Sequence, residues 1–368
     1  SYILFFEHNI NSLSGSDNNF NIYFWQLNYF SINNPTLYKK YILKLVGILD
    51  TDNYKKYIKT YDFCKNISIL NIENDNYKRI IEHLELNNYF NTEFILPLYK
   101  ICIVSYLNFT DITSLDSNSK PIKLSFLNDT KSFDILLKKG DLQKEFIMIN
   151  LIKILSSALN KKDQSLKIIT YDIVPLFNNS GIIEIIPDCE NLYNIKEKFN
   201  MSIQNYIFDI NPNIKIEDFK NNFINSCATT IVISYIFGIG DRHLENILIN
   251  KNGMIFNIDF EYLLGDEPSY LFKTGNNIKI TDDILDAIGG LKSKNFILFI
   301  DKCIKVFESL RENNILIYNT FLSIPGMEQQ HILKYLNDKF FLNVNPNQAL
   351  LNFKNLIINS CNNFTHIR

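Results

Sequence analysis

The sequence predicts an α+β fold in which a helical segment precedes a small strand-rich lobe and a larger, mainly helical lobe. Apolar residues recur at helical spacing in the first hundred residues, for example over Tyr41–Leu49. From about residue 111 the pattern changes to that of strands, and after about residue 187 helical periodicity returns. We therefore divide the chain into a helical segment (1–100), a small lobe (101–187) and a large lobe (188–368).

Strands and helices can be placed within these parts. Four segments have the alternation or the continuous apolar run of strands: Ile122–Phe126, Phe133–Leu137, Ile168–Val174 and Ile182–Ile186. A helix is predicted over Glu145–Leu159, and a second one in the first segment over Ile80–Leu86. Pro187 ends the last strand, and we expect a hinge there. In the large lobe, five residues at every fourth position predict a buried helix face: Phe219, Phe223, Cys227, Ile231 and Tyr235.

Composition limits the classes of function. The chain has 368 residues and is 46% hydrophobic, which is enough for a sizeable core. A net charge of −2 offers no bulk attraction to nucleic acid, so we expect no nucleic-acid partner. The six cysteines are scattered without a C-x-x-C pair, which disfavours a zinc site or a disulfide framework and favours a reducing, cytoplasmic location. Because the chain begins with Ser1, we expect a trimmed or partial sequence.

The most informative motif is Asp241-Arg242-His243-x-x-Asn246, followed after a short hairpin by Asp259. An amide oxygen from Asn246 and a carboxylate from Asp259 suit Mg²⁺, which binds few carboxylates together with phosphate oxygens and water. Asp241 or His243 can orient or deprotonate an acceptor hydroxyl. A polar turn would explain Asp-Arg-His alone, but the complete set indicates phosphoryl transfer.

Two further segments carry groups that could bind phosphate. Lys138 lies at the end of the second predicted strand, and Glu145 at the start of the next helix could hold it in place. Lys139 is the rival to Lys138. Ser117 opens a turn before Ile122, and its hydroxyl together with backbone N–H groups could cradle phosphate oxygens. By themselves these segments could equally be solvated lysines and an ordinary polar turn.

These motifs resemble those of the phosphatidylinositol 3- and 4-kinase superfamily, where they read D-R-H-x-x-N, D-F-G and K-x-G-D-D-L-R-Q-D. The resemblance implies a two-lobed, protein-kinase-like fold and a phosphotransferase that uses ATP with Mg²⁺, or Mn²⁺ in its place. It also implies that the backbones of Glu184 and Ile186 bind adenine. Four aliphatic side chains would sandwich the base, although core packing explains each of them equally well: Ile183, Ile185, Leu248 and Ile258.

Other segments indicate which branches of the superfamily the chain resembles most. Ile278–Thr281 and Ala287–Gly290 are most similar to class III phosphatidylinositol 3-kinases, and Tyr23–Leu27 resembles the end of their helical domain. Tyr171–Ile186 is closer to the related protein kinases. We therefore expect phosphorylation of phosphatidylinositol in membranes at the 3-hydroxyl, by a protein peripheral on endomembranes that works with a regulatory subunit. The alternatives are a phosphatidylinositol 4-kinase, a protein kinase and a catalytically weak pseudokinase or scaffold.

Three departures from the family pattern bear on activity. Glu261 stands where D-F-G has glycine, and its carboxylate adds negative charge near the predicted metal ligands. Asn257 replaces the histidine of H-I-D-F-G, which removes a potential contact with the γ-phosphate. The segment Gly265–Gly275 is acidic in its first half. The only basic residues in it and just after it are Lys273 and Lys279. Phosphatidylinositol is therefore a better candidate substrate than a multiply phosphorylated lipid.

Overall fold

The computed structural model confirms an α+β fold of the kinase-like type. It describes residues 51–69, 82, 93–98, 103–115, 120–128, 131–176, 179–266, 278 and 280–363. The chain divides into two compact units. The first unit runs to Phe146 and includes Tyr171–Ile186, whereas the second contains Ile147–Thr170 and the chain from Pro187 onward.

The first unit is built around antiparallel strands. Its elements are α1 (Thr51–Ile69), β1 (Phe94–Ile95), β2 (Ile103–Val104), β3 (Tyr106–Leu107), a 3₁₀ turn (Phe109–Asp111), β4 (Thr113–Ser114), β5 (Ile122–Leu127), β6 (Ser132–Lys139), the start of α2 (Gln143–Lys162), β7 (Ile173–Leu176) and β8 (Ser180–Glu184). The main sheet has the order β3-β5-β6-β8-β7, with β4 also paired to β5, while β1 and β2 pair separately.

Alternating side chains of β5 and β6 form the core of this unit. Leu124 and Phe126 of β5 are buried, as are Ile135 and Leu137 of β6. The ring of Phe126 packs edge-on against Phe63 of α1 at 5.8 Å between ring centroids. The period-two pattern therefore places the apolar face of the sheet against a helix, as expected for a half-buried antiparallel sheet.

The second unit is mainly helical. After most of α2 it contains β9 (Cys189–Asn191), a π-helical turn (Asn194–Lys198), α3 (Ile203–Ile210), α4 (Ile216–Phe237), a 3₁₀ turn (Leu244–Asn246), β10 (Ile247–Asn250), β11 (Ile255–Asn257), α5 (Asp282–Ile288), α6 (Lys294–Glu312), α7 (Asn314–Leu322), α8 (Gln329–Lys339) and α9 (Pro346–Asn363). Its three strands form an antiparallel sheet in the order β11-β10-β9. None of the helices in the described ranges is both long and apolar enough to cross a bilayer.

Helix α4 is the central element of the second unit. All five residues that predicted its buried face are buried: Phe219, Phe223, Cys227, Ile231 and Tyr235. Gly238 follows the helix in the left-handed conformation (φ 58°, ψ 45°), which an L-residue adopts only at a cost. The helix therefore ends at Phe237, four residues before Asp241, and leads directly into the predicted catalytic loop.

Two predicted strands have different bounds in the structure. The strand predicted over Ile168–Val174 begins only at Ile173, and the one predicted to reach Ile186 ends at Glu184. The reason is register: the β7–β8 ladder runs from the pair Ile173–Ile183 to the pair Leu176–Ser180, so β7 begins at Ile173. The helices predicted over Tyr41–Leu49 and Ile80–Leu86 lie outside the described residues, apart from position 82.

Candidate active site

The predicted catalytic and metal-binding loops lie side by side in the second unit. The residues that lead into Asp241 bond to those that follow Asp259: Leu264 N donates to Phe237 O at 2.9 Å, Gly265 N to Gly238 O at 3.0 Å and Gly240 N to Tyr262 O at 3.0 Å. Backbone hydrogen bonds therefore bring the two loops together although some twenty residues separate them along the chain.

Arg242 bonds both loops through one guanidinium group. Its Nε donates to Gly240 O at 2.9 Å and its Nη1 to Ile258 O at 2.7 Å. Its Nη2 donates to the carbonyl oxygen of Asp259. The planar fork of arginine presents several donors in fixed directions, which is why one side chain can satisfy three carbonyls. Arg242 therefore acts as a structural clamp beside the predicted reacting groups.

The predicted catalytic carboxylate Asp241 and the predicted metal ligand Asp259 share an unusual backbone conformation. Asp241 has φ 52° and Asp259 has φ 61°, both in the left-handed region. For a residue with a β-carbon this region costs about 1–2 kcal/mol. Such strain persists only where the surroundings hold it, and it concentrates at functional sites. Here the Arg242 clamp and the paired loop backbones provide that support.

Asn246 and Asp259 present the oxygen ligands that the sequence predicted. Asn246 Nδ2 donates to the carbonyl oxygen of Asp241 at 2.9 Å, which leaves the amide oxygen as an acceptor. Ile258 N donates to Asn246 O at 3.1 Å, so the backbones beside the two ligands are in direct contact. Asp259 Oδ1 accepts from Glu261 N at 3.3 Å. One amide and one carboxylate fit Mg²⁺ that also binds phosphates and water.

His243 lies between two carboxylates. Its Nε2 is 3.7 Å from Asp241 Oδ2, and its Nδ1 is 3.6 Å from Glu245 Oε2. Both distances exceed that of a hydrogen bond, so His243 is a neighbour of the two carboxylates without being bonded to either. His243 and Asp241 remain accessible, with 46% and 37% of their side chains exposed. Both side chains are therefore open to solvent. The sequence analysis did not identify Glu245 as a neighbour of His243.

The site is electronegative, as the neighbouring Tyr262 shows. The charge of Glu261 raises the pKa of Tyr262 most, followed by burial and by the charges of Asp241 and Asp259. A phenol resists ionisation when carboxylates surround it. Three acidic side chains thus act on one point of the site, an arrangement that favours bound cations.

Asn257 has a different environment from the one expected at the phosphates. Its side chain is 8% exposed, and its Nδ2 donates to Ser234 Oγ of α4 at 2.6 Å. The amide therefore faces α4 within the second unit. Glu261, another departure from the family pattern, is exposed, and its backbone N–H donates to Asp259 Oδ1.

The predicted phosphate-binding residues of the first unit lie on β6 and at the start of α2. Lys138 is half-buried and pairs in register with Gly181 of β8. Glu145 is buried and accepts a hydrogen bond from Tyr171 Oη at 2.7 Å. Asp141 Oδ1 accepts from Gln143 N at 2.9 Å and so caps the helix start. Tyr171 thus holds Glu145 in place, a role that the sequence analysis did not assign.

The predicted adenine-binding residues are positioned by the hairpin of β7 and β8. Glu184 N donates to Asp172 O at 2.8 Å, and Glu184 Oε2 accepts from Asp172 N at 2.9 Å. The N–H of Glu184 is therefore used within the protein, and only its carbonyl is a candidate for adenine. Ile183 and Ile186 are half-buried in the same unit. Leu248 and Ile258 are half-buried in the second unit.

The predicted site residues are thus divided between the two units. The first unit holds Lys138, Glu145, Ile183, Glu184 and Ile186, and the second holds Asp241, His243, Asn246, Leu248, Ile258 and Asp259. Ser117 lies outside the described residues.

Part of the second unit is similar to a known family. Residues 193–331 match the family model described as phosphatidylinositol 3- and 4-kinase. This range contains the catalytic loop, the metal-binding loop and helices α3 to α7.

Relatives that align with two thirds or more of the chain are named phosphatidylinositol 3-kinases. VPS34 of Saccharomyces cerevisiae is 30% identical over 260 residues, which cover 67% of this chain and 29% of the relative. The pik3 kinase of Schizosaccharomyces pombe is 28% identical, with 67% of this chain and 33% of the relative covered. VPS34 of Candida glabrata is 24% identical over 93% of this chain and 41% of the relative. The chain therefore spans less than half the length of these relatives.

Proposed function

Since this chain carries a phosphatidylinositol 3- and 4-kinase catalytic domain, we propose that it transfers the γ-phosphate of ATP to the 3-hydroxyl of phosphatidylinositol. The observation that carries the proposal is the Arg242 clamp, which bonds to Gly240 O on the Asp241 side and to Ile258 O on the Asp259 side. Phosphoryl transfer depends on positioning and charge neutralisation more than on covalent chemistry. A clamp that sets the catalytic loop against the metal-binding loop meets this requirement.

The residues of this chain divide the work as follows. Bound Mg²⁺ would neutralise charge on the phosphates, with Asn246 Oδ1 and the Asp259 carboxylate as its protein ligands. Asp241 and His243 orient the inositol hydroxyl, and one of them takes up its proton. Lys138 binds a phosphate oxygen of ATP.

Four further groups assist nucleotide binding in this proposal. Glu145, which Tyr171 holds, keeps the Lys138 ammonium in position. The Ser117 hydroxyl contributes to the binding of phosphate. The carbonyl of Glu184 and the backbone of Ile186 bind adenine, because the N–H of Glu184 is already bonded to Asp172.

The charge around the site favours the least charged inositol lipid. Glu261 and Asp266 are exposed acidic residues on either side of Tyr262, and the segment after them contains Lys273 as its only basic residue up to Gly275. A headgroup with additional phosphates would meet repulsion without compensating cations. Phosphatidylinositol carries one phosphodiester and demands the least positive charge. In this proposal the protein acts at the surface of endomembranes together with a regulatory subunit.

A product-resolved lipid-kinase assay tests the proposal. Wild type and Asp259→Asn would be incubated with radiolabelled ATP, Mg²⁺ and vesicles that contain phosphatidylinositol or its phosphorylated forms. We expect phosphatidylinositol 3-phosphate from wild type alone. Product on the 4-hydroxyl would identify a 4-kinase instead, and label on a peptide substrate but not on lipid would identify a protein kinase.

One observation favours a catalytically weak scaffold as the second candidate. Glu261 stands at the position of the D-F-G glycine, two residues after Asp259, and its charge raises the pKa of Tyr262 together with those of Asp241 and Asp259. Glu261→Gly separates the two functions. An active kinase gives product before the substitution, whereas a scaffold gives product only after it or not at all.

A further inference from the structure

Three hydroxyl groups on one face of α4 close the outer edge of β11. Ser226, Thr230 and Ser234 are spaced four residues apart, so they lie one above another on the helix. Ser226 Oγ accepts from Ile255 N at 3.0 Å, and Thr230 Oγ1 donates to Ile255 O at 3.1 Å. β10 pairs with one edge of β11. The side chains of Ser226 and Thr230 bond to the opposite edge, where a further strand would otherwise lie.

Ser234, the last of these three residues, contacts a side chain of β11 rather than its backbone. Asn257 Nδ2 donates to Ser234 Oγ at 2.6 Å, and Ser234 Oγ in turn donates to Thr230 O at 2.8 Å. The serine hydroxyl thus accepts one hydrogen bond and donates its single proton in another. At 8% exposure the Asn257 amide is shielded from water, so water cannot easily replace Ser234 as its partner.

This contact lies two residues before Asp259. On the other side, Arg242 holds the carbonyls of Ile258 and Asp259. The chain that carries the predicted metal ligand is therefore fixed from α4 by Asn257 and from the catalytic loop by Arg242. Because Asp259 has a left-handed backbone (φ 61°), it needs support on both sides to remain in that conformation.

We propose that Ser234 and Asn257 form a positioning pair that holds Asp259 in the conformation required to bind the metal of Mg-ATP. Neither residue touches the nucleotide, and both act through the backbone that they anchor. This inference rests on the proposed kinase function. It also assigns a role to Asn257, which stands where the family pattern has histidine. Its amide joins the metal-binding loop to α4.

The test measures metal binding directly as well as activity. Calorimetry on the full chain would give the affinity for ATP with and without Mg²⁺, for wild type, Ser234→Ala, Asn257→Ala and the double variant. We expect each single variant to lose about tenfold in Mg-ATP affinity, the lower end of what outer partners of metal ligands contribute. Affinity for metal-free ATP should stay unchanged. The double variant should be no weaker than either single one, because the pair acts as a unit.

Two further variants separate positioning from general stability. Ser234→Thr keeps the hydroxyl and should retain wild-type Mg-ATP affinity. Ser226→Ala removes a hydroxyl from the same helix face but leaves the Ser234–Asn257 contact in place; it should lower Tm without changing Mg-ATP affinity. Unchanged Mg-ATP affinity in Ser234→Ala and Asn257→Ala would overturn the inference, as would an equal loss in Ser226→Ala. Failure of the kinase proposal would appear separately, as wild type that binds Mg-ATP but yields no lipid product.

Discussion

Arg242 donates from Nη1 to the carbonyl oxygen of Ile258 at 2.7 Å and so joins the catalytic loop to the residue immediately before Asp259. The same guanidinium bonds to Gly240 at 2.9 Å and to the carbonyl of Asp259. The relative position of the two predicted catalytic loops therefore depends strongly on one side chain.

Arg242→Lys should lower kcat by about 100-fold, the effect of displacing catalytic groups by roughly 1 Å. Lysine keeps the charge but has a single nitrogen, which cannot bond three carbonyls in fixed directions. Steady-state kinetics would measure the change. Arg311→Lys is the matched control, because Arg311 also bonds backbone carbonyls, those of Phe340 and Val344, away from both loops. It should lower Tm and leave kcat near the wild-type value; an equal loss of kcat in both variants would contradict the prediction.

Tyr171→Phe should raise the KM for ATP by about tenfold, which corresponds to one hydrogen bond to a charged group. The substitution removes the 2.7 Å contact with Glu145 Oε1 and leaves that buried carboxylate without its tyrosine partner. ATP titrations at saturating lipid would show the change. Tyr206→Phe serves as the control, since it keeps the ring that stacks on Phe199 and lies outside the predicted site. If Tyr171→Phe binds ATP like wild type, Glu145 does not depend on Tyr171.

Asp163→Asn should destabilise the protein by about 2 kcal/mol near neutral pH, the value of a lost charge-assisted hydrogen bond. Burial alone would raise the pKa of Asp163, but hydrogen bonds from Lys302, Ser165 and Lys305 outweigh it and hold the pKa well below its usual range. Lys302 Nζ lies 2.7 Å from Asp163 Oδ2, and Lys305 Nζ lies 3.1 Å from the same atom.

Because the folded-state pKa of Asp163 is depressed, its contribution is complete above about pH 4 and disappears as pH falls towards the folded-state pKa. Urea unfolding across this range should therefore show wild type and Asp163→Asn converging in acid. Asp301→Asn is the control. Asp301 pairs with Lys305 at 3.0 Å but is 52% exposed, and such pairs contribute about 0–1 kcal/mol. A constant difference between wild type and Asp163→Asn at all pH values would refute the assignment.

Gly238→Ala should be strongly destabilising, by about 3 kcal/mol or more, because steric overlap adds to backbone strain. A β-carbon at Gly238 would collide with the Tyr335 hydroxyl and would lie 2.5 Å from Gly265 N. Gly290 offers a matched comparison: its φ is also positive (82°), but nothing lies within 4 Å of an added β-carbon. Gly290→Ala should cost only the strain, about 1–2 kcal/mol. Thermal unfolding of the two variants would separate the cost of steric overlap from that of backbone strain. Equal losses of stability would exclude a contribution from overlap.

Some features followed directly from residues close together in the chain. The fourfold spacing from Phe219 to Tyr235 predicted a buried helix, and α4 has that face buried along its length. Period-two alternation located β5 and β6. The phosphotransfer motif from Asp241 to Asp259 could also be recognised, because its residues lie within one loop and one hairpin.

Other features depended on contacts that sequence spacing does not encode. The start of β7 at Ile173 is set by register with β8, and the place of Glu145 by the hydroxyl of Tyr171, 26 residues away. Asn257 was expected to matter as a lost phosphate contact, whereas its amide bonds to Ser234, 23 residues earlier. A side chain's partner across such a distance depends on how helices and strands pack.

The sequence by itself determined the fold class, the central helix and the chemical groups available for binding Mg-ATP, since periodicity and residue type are local properties. Only the tertiary structure decided how those groups are held: the left-handed backbones of Asp241 and Asp259, the Arg242 clamp between them and the anchoring of β11 on α4. These arise from hydrogen bonds between segments far apart in the chain, and the folded backbone alone brings such segments within reach.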